Sequence, residues 1–267
     1  MTRLTFSLIL AGALALPASA QTPPAAPAAA PAPAAAPAPT YEPQPPTLDK
    51  IRRTGVITLA HRESSIPFSY LDANRQPTGY ALELCQRVVQ AIRNEYKLPG
   101  LRVQYLMVSA AERIPSLLSG RADLECGNTT NTAARRKQVA FSVTHFFDGG
   151  RLLVASRSGV QRLSDLRGKA IVVNKGSTHA TFLNRQIERG LFAARIIEAK
   201  DASEAFAQLE KGEAQGYLHD GMVLASLRAN TRDPSQWELV GEFTTVEPLA
   251  VMLRKDDPEF KRIVDTT

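Results

Sequence analysis

Apolar and polar positions follow two rhythms along residues 55–267. Short apolar runs, "GVITLA" (55–60), "LRVQYLMV" (101–108), "ADLECG" (122–127) and "GRLLVAS" (150–156), have the length and composition of strands. Between the first two, "GYALELCQRVVQAIRNEY" (79–96) puts Ala81, Leu84, Cys85, Val88 and Ile92 on one stripe at helical spacing. "ERIPSLLSG" (112–120) predicts a short helix stopped by glycine, and "NTTNTAARRKQ" (128–138) opens another. The second half repeats the rhythm. "LSDLRGKAIVVNKGSTHATFLNRQI" (163–187) reads as short helix, strand, glycine turn and helix. "ARIIEA" (194–199) is a strand and "SEAFAQLEKG" (203–212) a helix; "QGYLHD" (215–220) is a strand and "GMVLASLRAN" (221–230) a helix. "WELVGE" and "LAVMLRK" are strands, and "DPEFKRIVDTT" (257–267) starts a last helix. Strands alternating with helices predict an α/β fold with mainly parallel sheets covered on both faces, and two such runs predict two lobes.

In sheets of this kind, ligands collect at the carboxyl ends of strands. Those ends are polar here. Arg62 follows the first strand, Gly127, Asn128, Thr129 and Thr130 follow "LEC", Gly176, Ser177 and Thr178 follow "VVN", and Asp220 ends "YLHD". Each has an ordinary reading as well. Thr and Asn commonly cap helices, Arg62 could pair with Glu63 at the surface, Arg113 could form a structural salt bridge, and Asp220 could simply cap the helix at Gly221. A helix opening after Thr130 would present free N–H groups to an anion, with Arg135 one turn in and able to fork onto a carboxylate. Phe68 and Tyr70 read as core.

The ends of the chain are of another kind. Residues 1–20 combine Arg3, an apolar run and Ala18-Ser19-Ala20, the pattern of a cleaved export signal. Residues 21–47 are nearly all Ala, Pro, Gln and Thr and predict a tether without a core. The net charge is +6 over 267 residues, and +5 once Arg3 is removed. Apart from Arg135-Arg136-Lys137 the basic residues are scattered, which argues against nucleic acid and fits an acidic ligand better. Two cysteines, Cys85 and Cys126, stand 41 apart without metal-type spacing. Export would allow them to pair, and their apolar surroundings would equally suit two buried thiols. The sequence has no GxSxG, HExxH, GxGxxG or P-loop motif. The four histidines, His61, His145, His179 and His219, show no ligand spacing; His179 alone sits in a presumptive site loop. No cofactor or metal is expected.

Four stretches carry a resemblance: "TLDKIRRTGVITLAHRESSIPFSY", "ERIPSLLSGRADLECGNTTNTAARRKQVAFS", "LSDLRGKAIVVNKGST" and "LRKDDPEFKRIVD". They closely resemble the glutamate/aspartate-binding branch of the periplasmic solute-binding proteins that serve ABC-type amino-acid importers. The resemblance runs from about Thr47 to Thr267. It implies a periplasmic binding protein of the second, Venus-flytrap type, with two lobes joined by a hinge of two crossing strands near residues 147–150 and 245–249. Lobe 1 would comprise 48–148 plus 247–267, and lobe 2 would comprise 149–246. It implies a monomer in the periplasm, an acidic amino acid as ligand and an ABC permease as membrane partner. Carried over position by position, Arg62 and Arg113 would grip the ligand's side-chain carboxylate. Thr130 and Arg135 would hold its α-carboxylate, Thr178 would contact a carboxylate from the second lobe, Asp220 would take its ammonium, and Asn128 would stand beside them. The chain departs from the family pattern at Ala110 and Asn128, where serine is common, and at Ala202, where a histidine is. Members usually continue beyond "RIVD", so the closing helix is expected to be cut short and to expose apolar surface on lobe 1. The alternative from another class is a cyclohexadienyl dehydratase-like enzyme on the same fold, which needs a positioned acid in the cleft.

Overall fold

The computed structural model describes residues 41–255 and 257–267. The expected export signal (1–20) and the tether as far as residue 40 lie outside the described residues. In chain order the elements are α1 (Thr47–Thr54), β1 (Val56–His61), β2 (Ser64–Ser65), β3 (Ser69–Leu71), β4 (Pro77–Thr78), α2 (Tyr80–Glu95), β5 (Arg102–Met107), α3 (Arg113–Leu118), β6 (Leu124–Glu125), α4 (Ala133–Arg136), β7 (Val139–Phe141), and β8 (Phe146–Ala155). There follow β9 (Ala170–Asn174), α5 (Thr178–Glu188), β10 (Arg195–Ala199), α6 (Ala202–Glu210), β11 (Gly216–Asp220), α7 (Gly221–Ala229), β12 (Trp237–Val240), β13 (Val246–Leu249), β14 (Met252–Arg254) and α8 (Pro258–Thr266). Among the described residues, no helix is long and apolar enough to cross a membrane.

Two sheets organise these elements. The first has the order β5-β1-β6-β14-β7 and the second β10-β9-β11-β8-β12. Both are mixed: β5, β1 and β6 run parallel, as do β10, β9 and β11, while β14 and β8 join them antiparallel. The reversal has a topological cause. β8 and β13 cross between the sheets side by side, antiparallel, with Glu247 opposite Asp148 and Leu249 opposite Phe146, so strands delivered by them arrive against the parallel set.

Burial on both faces explains the near-continuous apolar strands. In the first sheet, Ile57 and Leu59 face a core completed by α1, α2 and α8, while Ala60 faces one built with Leu117, Phe141 and Met252. In the second, Ile171 and Val173 pack with Leu183 of α5, and Val172 between them packs with Phe206, Leu209 and Leu224 of α6 and α7. The helical stripe of α2 is as expected at Ala81, Cys85, Val88 and Ile92, with Leu82 and Val89 buried beside them and Leu84 at its margin.

Two readings are corrected. Thr47, placed at the end of the tether, opens α1 and is buried; its N–H donates to Asp257 Oδ2 at 2.7 Å, so it belongs to the folded part. The helix expected to open after Thr130 is a single turn capped by Thr132, whose hydroxyl accepts from Arg135 N–H, so Thr130 has no helix terminus behind it. Without at least two turns of aligned peptides, the dipole argument for an anion there loses most of its force. The closing helix α8 spans nine residues and buries Phe260, Ile263 and Val264 on its inner stripe. The cysteines, left open between two states, form a disulfide that ties α2 to the segment after β6.

Candidate functional site

The strand ends converge as the topology requires. A narrow cavity lies between the carboxyl ends of the two sheets, lined on one side by Arg62, Arg113, Asn128 and Thr130, and on the other by Asn174, Ser177, Thr178, His179, His219 and Asp220. Six of the seven candidate residues line it directly. The seventh, Arg135, closes its rim, its guanidinium donating to Thr130 O at 2.8 Å and across to Gly176 O at 3.3 Å.

Arg62 is buried where β1 ends, and its backbone N–H is anchored on Ser69 Oγ at 3.0 Å. The pairing with Glu63 at the surface is thereby excluded. Arg113, the first residue of α3, donates to Thr129 Oγ1 at 2.8 Å and to Gly176 O at 3.1 Å. Thr129 in turn donates its hydroxyl hydrogen bond to Glu125 Oε2 at 2.7 Å, so the guanidinium is linked to a buried carboxylate one step removed. Among the described residues, none of these three arginines forms a direct ion pair with a carboxylate. The structural salt bridge weighed for Arg113 is therefore not made. Burial pulls the basicity of all three down, most strongly for Arg113, which also feels the like charge of Arg135. Desolvating three unpaired cations is costly, and the cost is recovered when anionic groups enter between them.

The opposite end is acidic. Asp220 precedes α7 but makes no side-chain cap bond; it accepts from Asn128 Nδ2 at 2.6 Å instead. Burial, and then the neighbouring Glu247 charge, push its carboxyl up to about 8. His179 lies on α5 with its Nε2 3.5 Å from Asp220 Oδ1 and 3.7 Å from Glu247 Oε1, and neither ring nitrogen has a hydrogen-bond partner among the described residues. Burial holds it down to about 4, so the ring is neutral at ordinary pH. Thr130 and Thr178 both donate their hydroxyls to Glu247 Oε2, the second at 2.9 Å.

A turn glycine brings the two sides together. Gly176 has φ +74°, and a Cβ there would lie 3.1 Å from Ala111 Cα on the facing wall. Its bare backbone lets its carbonyl reach both Arg113 and Arg135. His179, His219 and Asp220 have donor atoms within 4.8 Å of one another. The set does not suit a cation: His219 Nδ1 is already taken by the Asp220 N–H at 2.6 Å, and the Arg62 and Arg113 guanidinium groups stand nearby.

Against this geometry, similarity to known proteins is informative. The model of the bacterial extracellular solute-binding proteins, family 3, matches residues 57–267. The chain belongs to that family. The solute-binding protein is 42% identical over 221 residues to the glutamate/aspartate import solute-binding protein of Escherichia coli, covering 83% of this chain and 73% of the other. It is 40% identical over 220 residues to the L-glutamate/L-aspartate-binding protein of Pseudomonas aeruginosa, covering 82% and 73%. The crystal structure of a cysteine-binding protein from Campylobacter jejuni superposes with a TM-score of 0.73 at 24% identity, covering 83% of this chain and 85% of that one, and shows the shared two-lobed α/β fold. These relatives are binding proteins by name, which decides against the dehydratase alternative.

Sequence reading missed four contributors of this solute-binding protein's cleft: Asn174, His219, Glu125 and Glu247. Asn174 and His219 lie at the ends of β9 and β11, where the strand-end rule applied to them as to their neighbours. Glu125 ends β6, but in the sequence it stands inside the apolar run "ADLECG", one residue short of the polar cluster that follows. Glu247 sits on the hinge strand in an alternating exposed–buried pattern, an acid at an inward position, which was the available signal. Ala202, by contrast, packs with Phe68, Val223 and Leu249 and is not among the cavity's lining residues.

Proposed function

We propose that this chain captures glutamate or aspartate between its two lobes and presents the closed form to an ABC importer. The observation that carries the reading is the convergence on one cavity of Arg62 and Arg113, both buried, with half-buried Arg135 at its rim, none of them with a carboxylate partner of its own among the described residues. A ligand with two carboxylates and one ammonium supplies what the wall lacks. In this reading Arg62 and Arg113 hold the side-chain carboxylate. Thr130, Arg135 and Thr178 hold the α-carboxylate, Asp220 takes the ammonium, and Asn128 orients Asp220. The names of the relatives at 40–42% identity support the same ligand class and an import role.

The moving bodies are residues 48–148 with 247–267, and residues 149–246, which hinge at the paired β8 and β13. Closure around a ligand that touches both sides is a population shift toward the closed form. Residues 1–20 direct export to the periplasm, the Ala/Pro-rich segment spaces the folded part from its surroundings, and the protein acts as a monomer. Calorimetric titration with glutamate, aspartate, glutamine and asparagine tests the ligand class. Stoichiometric heat is expected for the two acids. Binding of the amides alone would remove the role given to Arg62 and Arg113.

A further inference from the structure

In this structure the hydroxyls of Thr130 and Thr178 are already engaged. Both donate to the same oxygen of Glu247, with the Thr178 bond at 2.9 Å, and the positive charge of Arg135 acts on the same carboxylate. These are the three groups assigned above to a ligand's α-carboxylate. Thr130 bridges to Leu249 beside the first sheet, Thr178 opens α5 against the second, and Glu247 lies on β13 between them, buried. One carboxylate on the hinge strand therefore ties both sides of the cleft.

We propose that Glu247 is a built-in stand-in for the ligand's α-carboxylate, a latch that holds the lobes together and competes with the amino acid for Thr130, Thr178 and Arg135. A threonine hydroxyl has one proton to give, so the two carboxylates cannot both receive it. Binding then requires Glu247 to release the hydroxyls, and the affinity measured for an amino acid is reduced by the fraction of molecules that are latched. Glu247 is not without other company on release: His179 Nε2 lies 3.7 Å from its Oε1. The rival role for Glu247 is direct contact with the ligand's ammonium beside Asp220, and it predicts the opposite sign.

This inference rests on the assignment of the cleft to an amino acid, and the test separates the two. Glu247→Gln keeps the shape but removes the charge that holds the hydroxyls. Glutamate binding to the variant is expected to tighten by roughly three- to tenfold, and small-angle scattering without added amino acid is expected to show a larger radius of gyration than the parent. Thr178→Val cuts the second-lobe end of the same contact and is expected to give the same expansion, which keeps the test decisive should Glu247→Gln not fold. Weakened or unchanged glutamate affinity in Glu247→Gln, or no expansion in either variant, overturns the latch. If the parent binds neither acid, the functional reading fails, and scattering still judges the latch.

Discussion

Replacing Arg113 by methionine separates the cost of the site from its use. The guanidinium is buried and makes two hydrogen bonds, to Thr129 Oγ1 and Gly176 O. Removing it orphans neither partner. Thr129 still donates to Glu125 at 2.7 Å, and Gly176 O still accepts from Arg135 at 3.3 Å. Methionine fills much of the space with an apolar side chain, and a desolvated cation repelled by Arg135 is gone. The loss of two hydrogen bonds, about 1 kcal/mol each, is offset by the relief of burying an unpaired charge. The unliganded protein should therefore melt within a few degrees of the parent. Glutamate binding should suffer badly, because truncating one partner of a buried charge pair costs about 2–5 kcal/mol, or about 300-fold in affinity at the middle of that range. Glutamine has no second carboxylate and should lose only about ten- to thirtyfold, the worth of one hydrogen bond from a charged donor to a neutral acceptor, about 1.5–2 kcal/mol. Calorimetry with both ligands and thermal melts with and without glutamate read all of this. Glutamate affinity within threefold of the parent would show that Arg113 does not touch the ligand. A collapse in the melting temperature without ligand would show that it is a structural residue.

Other consequences follow from the same geometry. Asp220 is held up to about 8 against an ordinary 3.8, so between those values the unfolded chain binds fewer protons than the folded one. Stability should fall as pH rises through that window, by up to roughly 1.4 kcal/mol per unit, and Asp220→Asn should flatten the profile in urea titrations at pH 5 to 8. Because the ammonium needs the ionised form of Asp220, which is faced by Asn128, Glu247, Asp148, Arg113, His179 and His219, glutamate affinity should rise with pH up to about 8, with proton release in calorimetry; a slope unchanged in Asp220→Asn would refute this. Gly176→Ala, with φ +74° and Ala111 Cα 3.1 Å from the new Cβ, should impair closure and weaken glutamate at least tenfold, while a parent-like titration would show the turn to be tolerant. Cys85→Ser with Cys126→Ser should lower stability by about 4 kcal/mol, the loop-closure value for a separation of 41 residues; denaturant curves that coincide with the parent would count against the bridge.

Local chemistry made much of the fold legible. The strand and helix rhythm needed only side-chain periodicity, because a buried strand and an amphipathic helix write different repeats over ten residues. The strand-end rule then placed Arg62, Asn128, Thr130, Thr178 and Asp220 on one rim before any contact was known. The expected helix opening added Arg135, and resemblance to a family added Arg113, which no periodicity would have selected. Other features had no local signature. Whether Cys85 meets Cys126 depends on how α2 lies across β6, and apolar surroundings read the same for a thiol and a disulfide. The length of α4 turned on Thr132 taking the cap from Thr130, a competition between similar hydroxyls. Glu125 and Glu247 looked like acids in strands, and only packing made them the inner carboxylates of a cationic cleft. Hydrophobic pattern is a property of neighbours along the chain, whereas the desolvation of a charge is a property of everything that surrounds it. Pattern along the chain wrote the elements and the polar ends of the strands; packing in three dimensions chose which charges share one cleft, with Arg62 and Arg113 buried, Arg135 at the rim, and none ion-paired to a carboxylate among the described residues.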